Sequence, residues 1–195
     1  TFTHITPNFS ADIELPNNIN VSTSYSYSVN APRFNDLRPV TTYNNPAFRS
    51  EGNPNLNPEL SHNLSAGLYF WDPSSMSSLG ANMDYNIKES MIVYNQVIQP
   101  DDELGILSVT RPENVSGGRQ FSSYLWMNRP IIKTKLTFSL NGNLRFSTNP
   151  AFVNGVENET TSNGGGGSVY LTATPNPKVI FTLSGDLNLT NIKYS

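Results

Sequence analysis

The chain has 195 residues with 12 basic and 15 acidic side chains, a formal net charge of −3, so no basic field exists to draw nucleic acid or anionic surfaces. It contains no cysteine, which excludes a disulfide scaffold, thiolate catalysis and Cys-ligated metal. Only 14 % of residues are charged, while 26 Asn, 23 Ser and 16 Thr make up a third of the chain beside 9 Tyr, 10 Phe and 2 Trp, a composition unlike a solvated disordered tail.

Taken from the N-terminus, the organising signal is a period of two. A weak copy at Phe9–Leu15 precedes a strong one from Ile19 to Val29, where the odd positions are Ile19, Val21, Thr23, Tyr25, Tyr27 and Val29 and the even ones Asn and Ser. Side chains alternate faces along a strand, so one face is apolar or aromatic and the other small and polar. Leu64–Phe70, Leu79–Ile87, Leu136–Phe146 and Val179–Leu189 repeat the pattern, with weaker copies at Met91–Val97, Leu104–Thr110, Phe121–Met127 and Val169–Ala173. No window carries an apolar stripe at helical spacing and no apolar run reaches the length of a membrane helix. The fold class predicted is all-β, an antiparallel up-and-down meander of about ten strands.

The connections alternate in length. Pro16–Asn18, Trp71–Ser78, Ile98–Glu103, Asn128–Ile131 and Thr174–Lys178 form a short set. The intervening set holds long loops at 31–61 and 149–168, with Arg111–Gln120 and a tight turn at Lys88–Ser90. Short turns at one end and long loops at the other are the pattern of a transmembrane barrel, whose long loops lie outside the cell. A polar face of Ser, Asn, Gly and Thr suits a barrel interior and the apolar face suits lipid. A soluble Asn/Ser/Thr-rich sandwich would alternate in the same way. The competing function class is therefore a secreted or surface-attached all-β adhesin or carbohydrate-binding module.

Chemistry-bearing residues are sparse. His4 and His62 are the two histidines, and no His/Asp/Glu group has metal-ligand spacing. Asp101, Asp102 and Glu103 form an acidic turn that reads as solvated before it reads as a calcium site. Gly164–Gly167 reads as a flexible loop tip, since no helix or Lys follows to make a phosphate cradle. No nucleophile or general base is specified, so no enzymatic function and no cofactor is expected. Phe70, Trp71, Tyr94 and Trp126 stand near segment ends, where an interfacial aromatic girdle would place them.

One stretch carries a family resemblance. After Tyr25-Ser26-Tyr27-Ser28-Val29-Asn30-Ala31-Pro32-Arg33-Phe34 the chain reads Gly52-Asn53-Pro54-Asn55-Leu56-Asn57-Pro58-Glu59, then Ser61-His62-Asn63. This resembles the Gly-Asn-Pro-x-Leu-x-Pro-Glu motif of TonB-dependent outer-membrane receptors, in the version of the Bacteroidetes SusC-like transporters and the related outer membrane protein β-barrel family. The resemblance implies that residues 1–195 are an internal piece of the β-barrel of a longer receptor of about twenty-two strands, located in the outer membrane and taking up a nutrient. It implies as partners the outer-membrane lipid, the receptor's own plug domain, TonB-type energy coupling and a surface lipoprotein lid, and no nucleic acid. Gly52, Asn53, Pro54, Leu56, Pro58 and Glu59 are expected to build a rigid structural loop, since the prolines fix φ and the asparagines hold turns. Arg33, Arg38, Tyr43, Phe48 and Arg49 are the candidates for contact with a polar ligand.

Overall fold

A computed structural model describes residues 3–194. It contains eleven strands: β1 (Asn8–Leu15), β2 (Ile19–Asn30), β3 (Thr41–Asn45), β4 (Phe48–Glu51), β5 (Glu59–Asp72), β6 (Ser77–Asp101), β7 (Gly105–Val115), β8 (Gly118–Ile132), β9 (Leu136–Val153), β10 (Val156–Asn176) and β11 (Val179–Tyr194), with one helical turn, α1 (Phe34–Leu37). They form a single sheet in the order β1-β2-β5-β6-β8-β9-β10-β11, every neighbour antiparallel. The predicted all-β up-and-down meander is thus the observed fold. Among the described residues no second sheet packs against its apolar face, so the strands do not form a sandwich: Leu183 and Leu189 in β11 stand 72 % and 65 % exposed.

The predicted faces are continuous from edge to edge. Following one ladder row, Ile19 pairs with Phe70, Phe70 with Leu79, Leu79 with Met127, Met127 with Leu140, Leu140 with Val169 and Val169 with Gly185. Directly opposed residues share a face, so the apolar registers of all these strands form one surface. The opposite surface runs from Ser24 through Ser65, Asp84 and Ser122 to Arg145. There, polar side chains bond across the strands, as in Ser65 Oγ donating to Asp84 (2.7 Å) and Tyr124 Oη to Asn141 (3.1 Å).

That same row also measures the sheet's stagger. It leaves the turn at the first residue of β2, meets β5 two residues before its end, β9 four residues after its start and β11 six residues after its start. The stagger is two residues per hairpin, or one per strand. A rise of about 3.3 Å against a strand spacing of about 4.8 Å tilts the strands by about 35°, within the range of membrane barrels. Counted from these staggered turns, the apolar face has a level upper edge. Twelve residues above the first residue of β6, β9 and β11 stand Glu89, Thr148 and Asn191, and every same-face position between Leu79 and Ile87, Leu136 and Phe146, and Val179 and Leu189 is apolar or glycine. The band between is about 27 Å tall at this tilt, close to the apolar height of about 25 Å in outer-membrane barrels. Phe70, Phe138 and Phe181 lie near its lower edge and Tyr85, Phe121 and Phe146 near its upper edge, two girdles of aromatic side chains. Trp71 and Trp126, expected in such a girdle, lie instead on the polar face, where the Tyr69 and Trp126 rings approach to 6.0 Å and the Trp126 indole covers Gly80. Tyr94 stands above the band, in the second half of β6.

Several predicted connections are corrected. Lys88–Ser90 is not a turn: β6 runs unbroken through it, with a bulge opposite Leu60 and Ser61 that makes Glu89 the extra residue. Arg111–Gln120 is not a loop but the junction of β7 and β8, which succeed each other along β6, Val115 opposite Met91 and Gly118 opposite Lys88. The Ile98–Glu103 connection therefore caps a long hairpin at the loop end, not the short-turn end. Residues 149–168, expected as a long loop, are strand, closed by the two-residue turn Asn154–Gly155 with φ of 51° and 79°, a type I′ hairpin. Gly164–Gly167 is not a loop tip; it lies in mid-ladder, paired with β9 on one side and β11 on the other. The short ends remain on one side, at 16–18, 73–76, 133–135 and 177–178.

One short turn carries a titration. Asp72 closes the 73–76 turn by accepting from the backbone and hydroxyls of Ser74 and Ser75, at 2.5–3.3 Å. These bonds, the Ser74 hydroxyl's first, hold its carboxyl at about 2 against an ordinary 3.8. A depressed folded value means that the turn's contribution is complete above about pH 3.8 and is lost as pH falls through about 2. A carbon-13 titration of Asp72 in detergent micelles is expected to show that midpoint; a midpoint at or above 3.8 would mean the turn does not hold the carboxylate.

Candidate functional site

Above the apolar band the sheet carries an extension built by the long 31–58 connection. The second half of β6 pairs with β7, β7 takes β4 as a parallel neighbour, and β4 pairs with β3. Here lies the packed interior that the spanning ladder lacks. Leu56 (2 % exposed), Leu107 and Val115 are the buried apolar side chains among the described residues, and Pro32, Pro58 and Pro112 are buried too.

The Gly52–Glu59 stretch enters this interior and is tied to it at four points. The Asn53 amide donates to the Asp36 carbonyl (2.6 Å), and its side-chain Nδ2 donates to the Pro112 carbonyl (3.0 Å). Its Oδ1 accepts from the Asn55 amide (3.0 Å), so one asparagine both shapes the turn and docks it on β7. The Asn57 amide donates to Asn114 Oδ1 (2.8 Å), while Asn114 Nδ2 donates back to the Asn57 carbonyl (3.0 Å). Glu59 accepts from the Ile92 amide (3.0 Å), just past the β6 bulge. At Gly52 a Cβ would overlap the Arg38 carbonyl, so the close approach of the two chain segments requires glycine. Pro54, Asn55 and Asn57 face solvent, whereas Leu56 and Pro58 point inward.

Between α1 and the β6–β7 face this arrangement leaves two adjoining clefts. One, of about 290 Å³, is lined by Asp36, Arg38, Thr42, Glu51, Tyr94 and Pro112. The other, of about 270 Å³, is lined by Pro32, Arg33, Asp36, Glu59, Ile92 and Tyr94. The partition is a hydrogen bond from Tyr94 Oη to Asp36 Oδ1 at 3.0 Å. Burial, and then the Asp36 carboxylate that accepts this bond, push the Tyr94 hydroxyl above its ordinary value. Among the five candidates for ligand contact, the structure places Arg33 and Arg38 on these clefts, one on each. Tyr43, Phe48 and Arg49 are on the β3–β4 hairpin, off the cleft linings; Arg49 stacks 5.5 Å over the Tyr43 ring and Phe48 is exposed. Sequence reasoning missed Asp36 and Tyr94, because the fold of the 31–58 excursion over β6 leaves no local signal of their meeting.

The remaining polar residues fall elsewhere. His62 sits near the upper edge of the apolar band, its Nδ1 2.8 Å from Tyr25 Oη and its Nε2 3.0 Å from Glu89 Oε1. The Asp101 carboxylate accepts from the Glu103 and Leu104 amides and so caps its own turn. Among the described residues no three His, Asp or Glu side chains gather in a way that could hold a metal ion.

No curated protein matches the chain closely enough to count as a relative. A family comparison agrees with the geometry: residues 1–194 match the family described as "Outer membrane protein beta-barrel family". A tilted, staggered sheet with an apolar band of about 27 Å, short turns on one side and a family match over nearly its whole length make the chain a member of the outer membrane protein β-barrel family, a protein of the outer membrane.

Proposed function

We propose that this chain forms barrel wall in a TonB-dependent-type receptor that takes up a nutrient ligand across the outer membrane. The observation that carries the reading is the Gly52–Glu59 motif, tethered through Asn53, Asn57 and Glu59 at the loop end, directly beside the paired clefts. In this reading the motif is a structural strut. Arg33 and Arg38 offer cationic hydrogen-bond donors to a polar ligand from opposite sides of the Asp36–Tyr94 partition. The wide polar face of Ser, Asn and Gly lines the lumen. A plug domain, TonB-type coupling and a surface lipoprotein lid belong to the same reading as partners.

The test uses the full-length protein in an outer-membrane host. Ligand-dependent growth is expected to vanish when TonB-type coupling is disabled, while ligand binding to whole cells persists. Paired Arg33→Ala and Arg38→Ala changes are expected to weaken that binding with the barrel still assembled. Uptake that continues without coupling would overturn the reading in favour of a passive channel.

A further inference from the structure

The apolar face sinks where β10 crosses it. Gly165 and Gly167 of β10 point toward it, Gly167 directly opposite Gly142 of β9 and next to Leu187 of β11, and Gly165 opposite Leu144 and Leu189. The absent side chains leave a groove of about 620 Å³ walled by Leu144, Phe146, Leu187 and Leu189. A Cβ at Gly142 or Gly185 would meet almost nothing, so the depression continues toward the middle of the band.

The upper end of the groove opens onto a polar row. Arg119 of β8, Thr148 of β9, Thr161 of β10 and Lys193 of β11 are consecutive partners across the ladder, and Asn163 and Asn191 pair just beneath them at the groove's mouth. Neither Arg119 nor Lys193 has a hydrogen-bond or ion-pair partner among the described residues. No acidic side chain belongs to that row; the nearest on this face of β10, Glu159, stands two residues above Thr161 and is engaged in an interaction of its own. Both cations stand on the lipid-facing register, at the level where the apolar band ends.

We propose that this groove is a binding site for one lipid of the surrounding leaflet, an acyl chain lying in the Gly165–Gly167 depression and a phosphate-bearing headgroup held between Arg119 and Lys193. The groove is continuous with the surface that meets hydrocarbon, which makes an acyl chain its natural occupant. Two cations without a partner among the described residues, flanking hydroxyl and amide side chains, complement an anionic headgroup rather than a neutral one. Thr148 and Thr161 supply hydroxyls, and Asn163 and Asn191 supply amides, for the remaining headgroup oxygens. A second copy of the chain would have to bring an apolar ridge together with acidic side chains set above it.

Retention of spin-labelled phosphatidic acid and of phosphatidylcholine with the same acyl chains, by the full chain refolded in detergent micelles, separates these possibilities. Wild type is expected to hold the phosphatidic acid in preference, and inorganic phosphate alone to leave the label in place. Arg119→Gln and Lys193→Gln are each expected to lower that preference by about fivefold, the usual worth of one surface cation against an anionic lipid. Gly167→Leu is expected to reduce retention of both lipids by filling the groove, and the two rim variants remain informative if Gly167→Leu folds poorly. Equal retention of the two lipids by wild type, displacement of the label by inorganic phosphate, or dimers cross-linked through Gly167→Cys in place of lipid retention would each overturn the proposal.

Discussion

A Tyr25→Arg substitution is expected to destabilise the folded protein in detergent or lipid by about 2–4 kcal/mol, the cost of arginine near the midplane of a barrel's lipid face. Tyr25 lies six residues above the first residue of β2, near the middle of the apolar band, on the register shared with Phe9, Leu64 and Tyr85. A guanidinium there has about the greatest distance to reach water in either direction. The Tyr25 hydroxyl's contact with His62 is lost as well, which adds to the same sign. The neighbouring Ser24→Arg change points to the opposite face, beside Ser10 and Ser65 among polar side chains, and is expected to be nearly neutral. Met83→Arg repeats the test from a second strand: Met83 is 53 % exposed and also lies six residues above the start of its strand. Urea titrations of the refolded variants in micelles measure the difference. Equal stability of Tyr25→Arg and Ser24→Arg would mean that the apolar face does not meet hydrocarbon.

The alternation of the sequence itself carries that prediction. The period of two assigns every residue of Ile19–Val29 to a face, and a one-residue slip would have inverted all of them at once; the ladder places Tyr25 and Ser24 where the alternation says. Local punctuation was a poorer guide. Four successive glycines read as a loop because glycine loses the most entropy in a strand and has no side chain to pack. Here β9 and β11 supply hydrogen bonds on both sides of Gly164–Gly167, and lipid or lumen takes the place of packing. The true turn, Asn154–Gly155, carries the strongest hairpin dipeptide there is, hidden inside a tract too rich in Asn and Gly for it to stand out.

The Arg111–Gln120 misreading has a similar cause. Pro112 speaks against a central strand because it lacks an amide donor. It is tolerated because β4 accompanies β7 only from Ser108 to Thr110, so no neighbour on that side asks for the missing hydrogen. Instead the open side receives Asn53, whose Nδ2 donates to the Pro112 carbonyl. The same contact explains why the clefts were only half legible. Arg33 and Arg38 both precede the motif on the same connection, but Asp36 and Tyr94 are 58 positions apart and meet where the motif docks on β7.

The second large effect is expected at the motif itself. Leu56→Ala removes the most buried leucine of a chain whose spanning ladder has no interior of its own, and buried leucine truncations cost about 2–5 kcal/mol. The loss falls on the 31–58 excursion, since the ladder rows below it share no side-chain bond with Leu56. A cost of 2–5 kcal/mol raises the open population of this excursion about thirtyfold or more, a factor of ten for each 1.4 kcal/mol. Limited proteolysis is therefore expected to cleave within residues 31–58 of the Leu56→Ala variant at a correspondingly higher rate, with the eight-strand sheet still resisting protease in micelles. Asn53→Ala is expected to move the same readout by less, because it forfeits two hydrogen bonds worth about 1 kcal/mol each. Pro54→Ala, at an exposed position with no donor to lose, is the matched control and should change cleavage little. If Leu56→Ala instead weakened the whole sheet, the excursion would be part of the barrel's folding unit rather than a platform resting on it. If it changed nothing, the motif's contacts with β6 and β7 would not be what holds the clefts in shape, and the pairing of Arg33 and Arg38 across the Asp36–Tyr94 bond would lose its physical support.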